Sequence, residues 1–424
     1  MLQAKDFHRF DTAYGSHVLL SDGSRILDVP PQVTASELDA LGLAKRIDAR
    51  PMDPPPLYAL SLNLAQACNM NCTYCYAGGG PFGGKARTMS REVAFAAVDR
   101  LLADSGDSDT VVVGFMGGEP LLARDMLRET TQYASMAGER AGKRVKFSMT
   151  TNLTLARDGD LELFRDHDFN LTVSIDGNRA ANDAQRQFNI GGSAYDSVVA
   201  TLERIAEIGR PRHLSARVTV ARDFPSLLDQ LRHVIGLGFD DAGFAPVLSA
   251  PERDVAMDSA ALARFLEEMI ACGQHTLEEI IAGRPFPFAN FETAMFEIHR
   301  GSHRPYPCGA GAGYLSVNAD GELYACHRLI DDDLFAMGTI ASGADVSARH
   351  ALLTRSHIDT QEPCRGCWAR YLCGGGCHHE VRHRGRPSCD YIRGWLDFCL
   401  KSYVTLQEHN PRYFAAGSRP ALAR

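Results

Sequence analysis

The chain of 424 residues contains no run of about 18 apolar residues, so nothing in it reads as a transmembrane helix and no membrane partner is expected. Its first residues, MLQAKDFHRF, lack the charged-then-apolar order of a signal peptide. A cytoplasmic, reducing location is the expectation. Basic residues are not in surplus: 44 Lys and Arg stand against 52 Asp and Glu, a net charge of −8. That balance argues against a nucleic acid as partner. No internal repeat or low-complexity stretch occurs. The remaining composition, 45% hydrophobic and 23% charged, suits a globular protein. The length allows two or three domains of about 100–200 residues, each able to build a core without staples.

Cysteine is scarce over most of the chain and crowded in two places. Cys68, Cys72 and Cys75 lie together, eight more lie between Cys308 and Cys399, and Cys272 stands alone between the groups. In a reducing compartment, clustered thiols read as metal ligands before disulfides.

Residues 1–57 form an accessory segment in this reading. HVLLSDGSRILDV reads as a hairpin around Asp-Gly-Ser, TASELDALGLAKR as a capped helix, and DARPMDPPPLY as a linker. Residues 58–250 alternate strand-like runs at Ala59–Ala65, Val111–Met116, Val145–Thr150, Leu171–Asp176, Leu214–Val220 and Ala242–Val247 with helical patterns such as SREVAFAAVDRLLAD and YDSVVATLERIAEIG. Six strands alternating with helices imply βαβ units, a parallel sheet and an α/β fold. Residues 251–301 read as a helical bridge, 302–405 as a small domain organised by metal, and 406–424 as a tail.

The unusual residues follow the strands. Cys68 comes after the first, Gly117-Gly118-Glu119-Pro120 after the second and Thr151-Asn152 after the third, while Ser174, Asp176 and Gly177 end the fourth. Parallel α/β folds carry their chemistry at the carboxyl ends of strands. CNMNCTYC spaces three cysteines as C-x3-C-x2-C. Three thiolates can hold one face of an iron–sulfur cubane, which normally takes four. No fourth cysteine lies nearby, so one iron would be left open. A zinc site completed by a distant residue is the alternative.

With Tyr74 before the last cysteine, CNMNCTYC resembles the signature of radical S-adenosylmethionine (SAM) enzymes, over roughly residues 57–250. The resemblance implies a partial (β/α)6 barrel. It also implies a [4Fe–4S] cluster whose open iron chelates the amino and carboxylate groups of SAM. One electron then cleaves the sulfonium to a 5′-deoxyadenosyl radical that abstracts hydrogen. Gly117, Gly118 and Glu119 resemble the family's GGEP motif, which contacts the SAM amino group. Ser174 resembles a residue that bonds the SAM carboxylate or ribose, and Thr151 and Asn152 match another ligand-facing strand end. Asp176 falls in the same VSIDG segment. Arg217 and Arg186 are candidate carboxylate partners, since a guanidinium suits a carboxylate fork. FAPV, at Phe244–Val247, resembles the segment that packs on adenine and reads equally as sheet core.

In the second group, Cys308-x12-Gly321-x4-Cys326 precedes Cys364-x2-Cys367-x5-Cys373-x3-Cys377 and then Cys389. This spacing resembles the SPASM domain, a C-terminal extension of radical SAM enzymes that modify peptides. The resemblance implies two auxiliary [4Fe–4S] clusters, three in all. Cys364, Cys367, Cys373 and Cys389 would hold the outer one, and Cys308, Cys326 and Cys377 the inner one. Either the inner cluster has an open iron, or Cys399, on the helical stretch YIRGWLDFCLKSY, completes it. As an apolar thiol, Cys399 would instead be core, as would Cys272. His378, His379 and His383 read as polar surface or as groups supporting the ligands.

The sulfatase-maturing members of the family carry an aspartate directly after the cysteine matched by Cys326, and it serves as their base. Here that position is His327, a candidate catalytic residue. CHR at this place looks more like the peptide-crosslinking members, and CGGGCHHEVRHRGRPSCDYIRGWL is similar to the maturases of the quinohemoprotein amine dehydrogenase small subunit. The expected substrate is a peptide or small protein joined by a thioether or C–C crosslink. Formylglycine formation, and radical dehydrogenation of a small molecule with the auxiliary clusters as relays, are the alternatives. The resemblance also implies an electron donor such as flavodoxin or ferredoxin, and it leaves room for a separate leader-binding protein.

Overall fold

The computed structural model of the chain describes residues 3, 5–22, 24–41, 50–251, 253–301 and 304–415. The chain forms two units. One comprises Met1–Pro51, Asp258–Cys308 and Thr354–Arg424; the other comprises Met52–Met257 and Gly309–Leu353.

The first unit begins with strands β1 (Phe7–Thr12), β2 (Gly15–Leu20) and β3 (Arg25–Val29), joined as an antiparallel sheet in that order. The β2–β3 pair is the expected hairpin, with Leu20 opposite Arg25. β1 is an addition. Its sequence, FHRFDT, carries no clean alternation, and only Phe10 is buried. The expected helix at TASELDALGLAKR starts at Thr34, whose side chain and that of Glu37 form a reciprocal capping box. That helix runs Ala35–Ala40, and the remainder of the expected element, with the tail from 416, lies outside the described residues. Leu38 packs on Val18 and Leu20. Helices Ser259–Ile281 and Ala289–His299 lie where helical structure is expected, and Asp258 caps the first of them. The long helix Cys389–His409 packs on Ser259–Ile281.

The second unit is built on a ten-stranded sheet. Strands β4 (Ala59–Ala65), β5 (Thr110–Gly117), β6 (Arg144–Thr151), β7 (Asn170–Ser174), β8 (His213–Val220) and β9 (Asp241–Pro246) run parallel in sequence order. These are the six expected strands. β4 is buried at all but its first residue, as a strand covered on both faces must be. Phe115, Phe147 and Phe169 stack against the sheet, with centroids 5.2 to 6.3 Å apart. Helices Arg91–Asp104 and Ala194–Ile208 begin at the serine caps Ser90 and Ser193.

Four short strands extend this sheet beyond β4: β10 (Tyr314–Val317), β11 (Glu322–Tyr324), β12 (Ala336–Thr339) and β13 (Gly343–Ala344). β10 is parallel to β4 and the rest are antiparallel. Residues 314–344 thus contribute four strands, although the sequence from Gly301 onward carries little periodicity. Runs of two to four residues are too short to register as alternation. Among the described residues, no helix is long and apolar enough to cross a membrane.

Candidate functional site

In the second unit, the cysteine loop, the GGEP turn and the Thr151-Asn152 strand end meet at the carboxyl ends of β4, β5 and β6. The backbone makes the junction. Gly118 N donates to Ala65 O, and Glu119 N donates to Ala67 O, both at 2.8 Å. A Cβ at Gly117 would stand 2.4 Å from Ala65 O, one at Gly118 2.1 Å from Ala67 O, and one at Gly80 2.6 Å from the Ala67 backbone. Only glycine permits these approaches. The glycines of the motif therefore bring one turn against the residue preceding Cys68.

Glu119 ties the same junction together and is 1% exposed. Its Oε1 accepts from Leu121 N at 3.0 Å and from Thr151 Oγ1 at 2.7 Å, and its Oε2 accepts from Asn152 N at 2.8 Å. Burial raises its carboxyl above the usual range while these three donors pull it back. A carboxylate has about four acceptor sites, so one is left for an ammonium. Asn152 continues the bracket: its Nδ2 donates to Asn69 Oδ1 at 3.0 Å and lies 3.8 Å from the Cys68 sulfur. Asn69 in turn donates to Thr154 Oγ1 at 3.0 Å. Asn69 escaped the sequence reading, and its place directly after Cys68 was the signal for it.

A second bracket holds the other cysteines. Asn71 N donates to Gln187 O and Thr73 N to Gln185 O, which sets Arg186 beside the loop. Arg186 is 7% exposed; it donates to Tyr74 OH at 2.5 Å, and Tyr74 OH donates to Asp176 Oδ2 at 2.5 Å. Asp176 Oδ1 accepts from Thr219 N at 2.8 Å. The carboxylate that Arg186 faces in this structure is Asp176, at 4.0 Å. Burial opposes the Arg186 charge, but Tyr74, Cys72 and Asp176 outweigh it and hold the guanidinium protonated. Burial raises the Asp176 carboxyl against the pull of Arg186.

Ser174 sits at the end of β7, opposite Arg217 on β8, and Arg217 is exposed. These two neighbours suit a ligand carboxylate. In FAPV, Phe244 and Val247 are buried, and Val247 packs with Ala221, Ala256 and Tyr74. These two are core residues.

None of the twelve cysteines is in a disulfide. Burial pushes the Cys68 thiol up to about 12 and raises Cys72, where Arg186 opposes the shift. Such thiols stay protonated unless a metal takes the proton's place. Among the described residues no three His, Cys, Asp or Glu side chains converge on one ion position. Three thiolates on one short loop suit a cubane, which takes each on a different iron. The residues present therefore fit a cluster: three cysteines on one bracketed loop, with an amide aimed at one sulfur.

His327 follows Cys326, whose sulfur accepts from Arg328 N at 3.4 Å. His327 Nδ1 lies 3.0 Å from Tyr314 OH, and Tyr314 OH lies 2.7 Å from Ser61 Oγ. Ser61 Oγ donates to Ser316 Oγ, which donates to Ser61 O. The serine hydrogens are thus committed, so Tyr314 donates to Ser61 and accepts from His327 Nδ1–H. That network assigns the neutral imidazole its lone pair on Nε2.

The first unit holds the four-cysteine loop. Cys364 feels the charges of Cys373, Cys389 and Cys367, and Cys373 those of Cys367 and Cys389. The four thiols therefore lie near enough for their charges to act on one another. Gly374 has φ +76°, and a Cβ there would meet Tyr306 O at 2.5 Å, so the turn after Cys373 requires glycine. Gly375 N–H donates to the Cys373 sulfur. The buried Nε of Arg304 has no hydrogen-bond partner among the described residues, a donor left over for a sulfur acceptor. Four neighbouring thiols and a spare donor fit a cubane.

Cys399 and Cys272 are fully buried on the packed helices Cys389–His409 and Ser259–Ile281. Burial alone raises the Cys399 thiol, which is the surrounding of a core thiol. The histidines differ from a plain surface reading. The helix His378–Arg384 turns His379 inward, and burial beside Arg355 and Arg386 lowers His378 to about 4. His383 is exposed.

Comparison with known proteins bears on the first of these sites. The radical SAM superfamily matches residues 62–223. The serine-type anaerobic sulfatase-maturating enzyme of Klebsiella aerogenes is 25% identical over 373 residues, 82% of this chain and 87% of that one. Mycofactocin maturase MftC of Mycolicibacterium smegmatis is 24% identical over 365 residues, 82% of this chain and 85% of that one. Among solved structures, native anSMEcpe with bound AdoMet and the Kp18Cys peptide superposes with a TM-score of 0.70 at 18% identity, over 84% of this chain and 99% of that one. Residues 62–223 of this chain are a radical SAM domain.

Proposed function

We propose that this chain is a radical SAM enzyme that modifies a peptide or small protein by forming a thioether or C–C crosslink. The observation that carries the proposal is the junction of the cysteine loop with GGEP and Asn152 at the strand ends. Two relatives, the sulfatase-maturating enzyme and mycofactocin maturase, support a maturase reading, as does the peptide in the anSMEcpe structure.

In this proposal the six parallel strands form a partial (β/α)6 barrel. Cys68, Cys72 and Cys75 hold a [4Fe–4S] cluster that binds SAM; together they supply one-electron cleavage of the sulfonium, giving a 5′-deoxyadenosyl radical that abstracts hydrogen. The chain's own residues orient that ligand. Glu119 and the glycine turn receive its ammonium, and Ser174 and Arg217 receive its carboxylate. Arg186, Tyr74 and Asp176 hold the cysteine loop in place. His327, with its lone pair on Nε2, accepts the substrate proton. Cys364, Cys367, Cys373 and Cys389 hold one auxiliary cluster, and the remaining cysteines of the SPASM pattern are the donors for a second. A flavodoxin or ferredoxin supplies electrons, and a separate protein can present the leader of the peptide.

Anaerobic reconstitution with dithionite and SAM tests the proposal. Release of 5′-deoxyadenosine, with loss of two hydrogens from a candidate peptide, is the expected result. Intact clusters without 5′-deoxyadenosine would contradict it. The sulfatase-maturating relative favours a second reading, oxidation of a Ser or Cys to formylglycine. Oxidation of Ser also removes two hydrogens, but its product is an aldehyde that reacts with a hydrazide probe. A crosslinked peptide does not.

A further inference from the structure

The two cysteine sites of the domains just described differ in the fixed charge around them. At the loop of Cys68, Cys72 and Cys75, Arg186 acts on Cys72, while the carboxylates Asp176 and Glu119 act on Cys72 and Cys68. Arg186 is itself engaged by Tyr74 and Asp176. Its positive charge is therefore offset within the same buried bracket.

The loop of Cys364, Cys367, Cys373 and Cys389 is ringed by arginines from three directions. Arg304 N donates to Tyr371 O at 2.7 Å and its Nη2 to Leu372 O at 2.8 Å, directly before Cys373. Its buried Nε is the spare donor noted above. Arg386 bonds Gln361, and its Nη1 stands beside the glycines that follow Cys373, 3.7 Å from a Cβ built on Gly375 and 3.6 Å from one on Gly376. Arg393, one helical turn after Cys389, hydrogen-bonds the Cys367 sulfur and pairs with Asp390, which is 97% exposed. Two further arginines lie in the loop: Arg365 pairs with Glu362, and Arg370 faces Asp6, Asp22 and Asp359. Arg370 donates to Cys367 O at 3.0 Å and so shapes the loop, while its three carboxylates more than offset its own charge.

We propose that Arg304, Arg386 and Arg393 form a cationic collar on the cluster of Cys364, Cys367, Cys373 and Cys389, and that the collar sets its reduction potential above that of the cluster on Cys68, Cys72 and Cys75. Reduction adds one negative charge to a cluster, and nearby positive charge stabilises that added charge. Net charge and hydrogen bonds to the sulfurs are among the principal levers on the potential of such clusters. Guanidinium groups stay charged at every working pH, so this lever is permanent. Burial of the site raises the strength of each charge relative to water. A solvent-exposed Asp390 offsets little of Arg393, because its own charge is screened. At equilibrium, an electron delivered to the chain rests on the four-cysteine site before it rests on the SAM-binding site. The inference depends on reading both loops as cluster sites.

Redox titration of the reconstituted full-length protein, followed by electron paramagnetic resonance, tests it. SAM perturbs only the signal of the cluster that binds it, which identifies that signal. The expected result is that the SAM-sensitive signal develops at a lower potential than the signal lost in C364A/C367A. Arg386→Gln and Arg393→Gln should each lower the second potential and leave the SAM-sensitive one in place, and Arg393→Lys should recover most of the change. Unchanged potentials in Gln variants that retain full iron would overturn the collar, as would the reverse order in the wild type. Should a Gln variant lose iron, the wild-type order alone decides. Iron and sulfide analysis separates the two levels: if C364A/C367A loses no iron relative to wild type, the reading of these cysteines as ligands fails first.

Discussion

Gly118 leaves no room for a methyl group against Ala67, whose carbonyl oxygen would lie 2.1 Å from a Cβ built there. Ala67 directly precedes Cys68, so the contact links the GGEP turn to the first thiol. Gly118→Ala should displace the loop by a fraction of an ångström or more. A misplacement near 1 Å can cost on the order of 100-fold in rate. We expect 5′-deoxyadenosine release to fall by about that factor, with less iron bound at the loop, and with the far-ultraviolet circular dichroism unchanged.

Glu119 is the shared acceptor of three donors from two strand ends. Glu119→Gln exchanges an oxygen for an amide and sets a donor against a donor. An unsatisfied buried group costs about 1–3 kcal/mol, so urea unfolding should shift by that amount. Thr151→Val removes one of the three hydrogen bonds and should cost no more than Glu119→Gln. A larger loss for Thr151→Val would show that the carboxylate is not the hub.

Much of this geometry was legible in the sequence, for identifiable reasons. The six parallel strands are apolar runs bounded by turn residues, and the sheet buries them. The cysteine spacings are fixed by local chemistry and read directly. The Arg186–Tyr74–Asp176 chain was not legible, although all three residues were singled out. It depends on how the segment at 185–187 pairs with the cysteine loop, a contact between residues more than a hundred apart. β1 and β10–β13 were missed because polar residues interrupt the first and the others are too short to show a period.

Arg186 and Asp176 form a buried pair with Tyr74 between them. Removing one partner of such a pair leaves an uncompensated charge, at a cost of about 3–5 kcal/mol. Arg186→Met should destabilise the protein by that order, and Tyr74→Phe by about 1 kcal/mol. In Asp176→Asn/Arg186→Met the two losses should fall short of their sum. Chemical denaturation of the four proteins measures this.

His213 donates to Asp241, whose carboxylate raises the imidazole above its ordinary value near 6.5. A group raised on folding stabilises the native state fully below its unfolded value and loses that contribution as pH rises through its folded value. The contribution of His213 is therefore present below about pH 6.5 and declines above it. His213→Gln should lower stability at pH 6 and have a smaller effect at pH 8.5, and unfolding curves at the two pH values check the sign.

The most direct measurement is SAM cleavage by C68A/C72A/C75A, made with iron and sulfide analysis on the same anaerobic sample. The account predicts that 5′-deoxyadenosine release vanishes and that about four irons are lost while the remainder stay bound. Continued cleavage by this variant would contradict it.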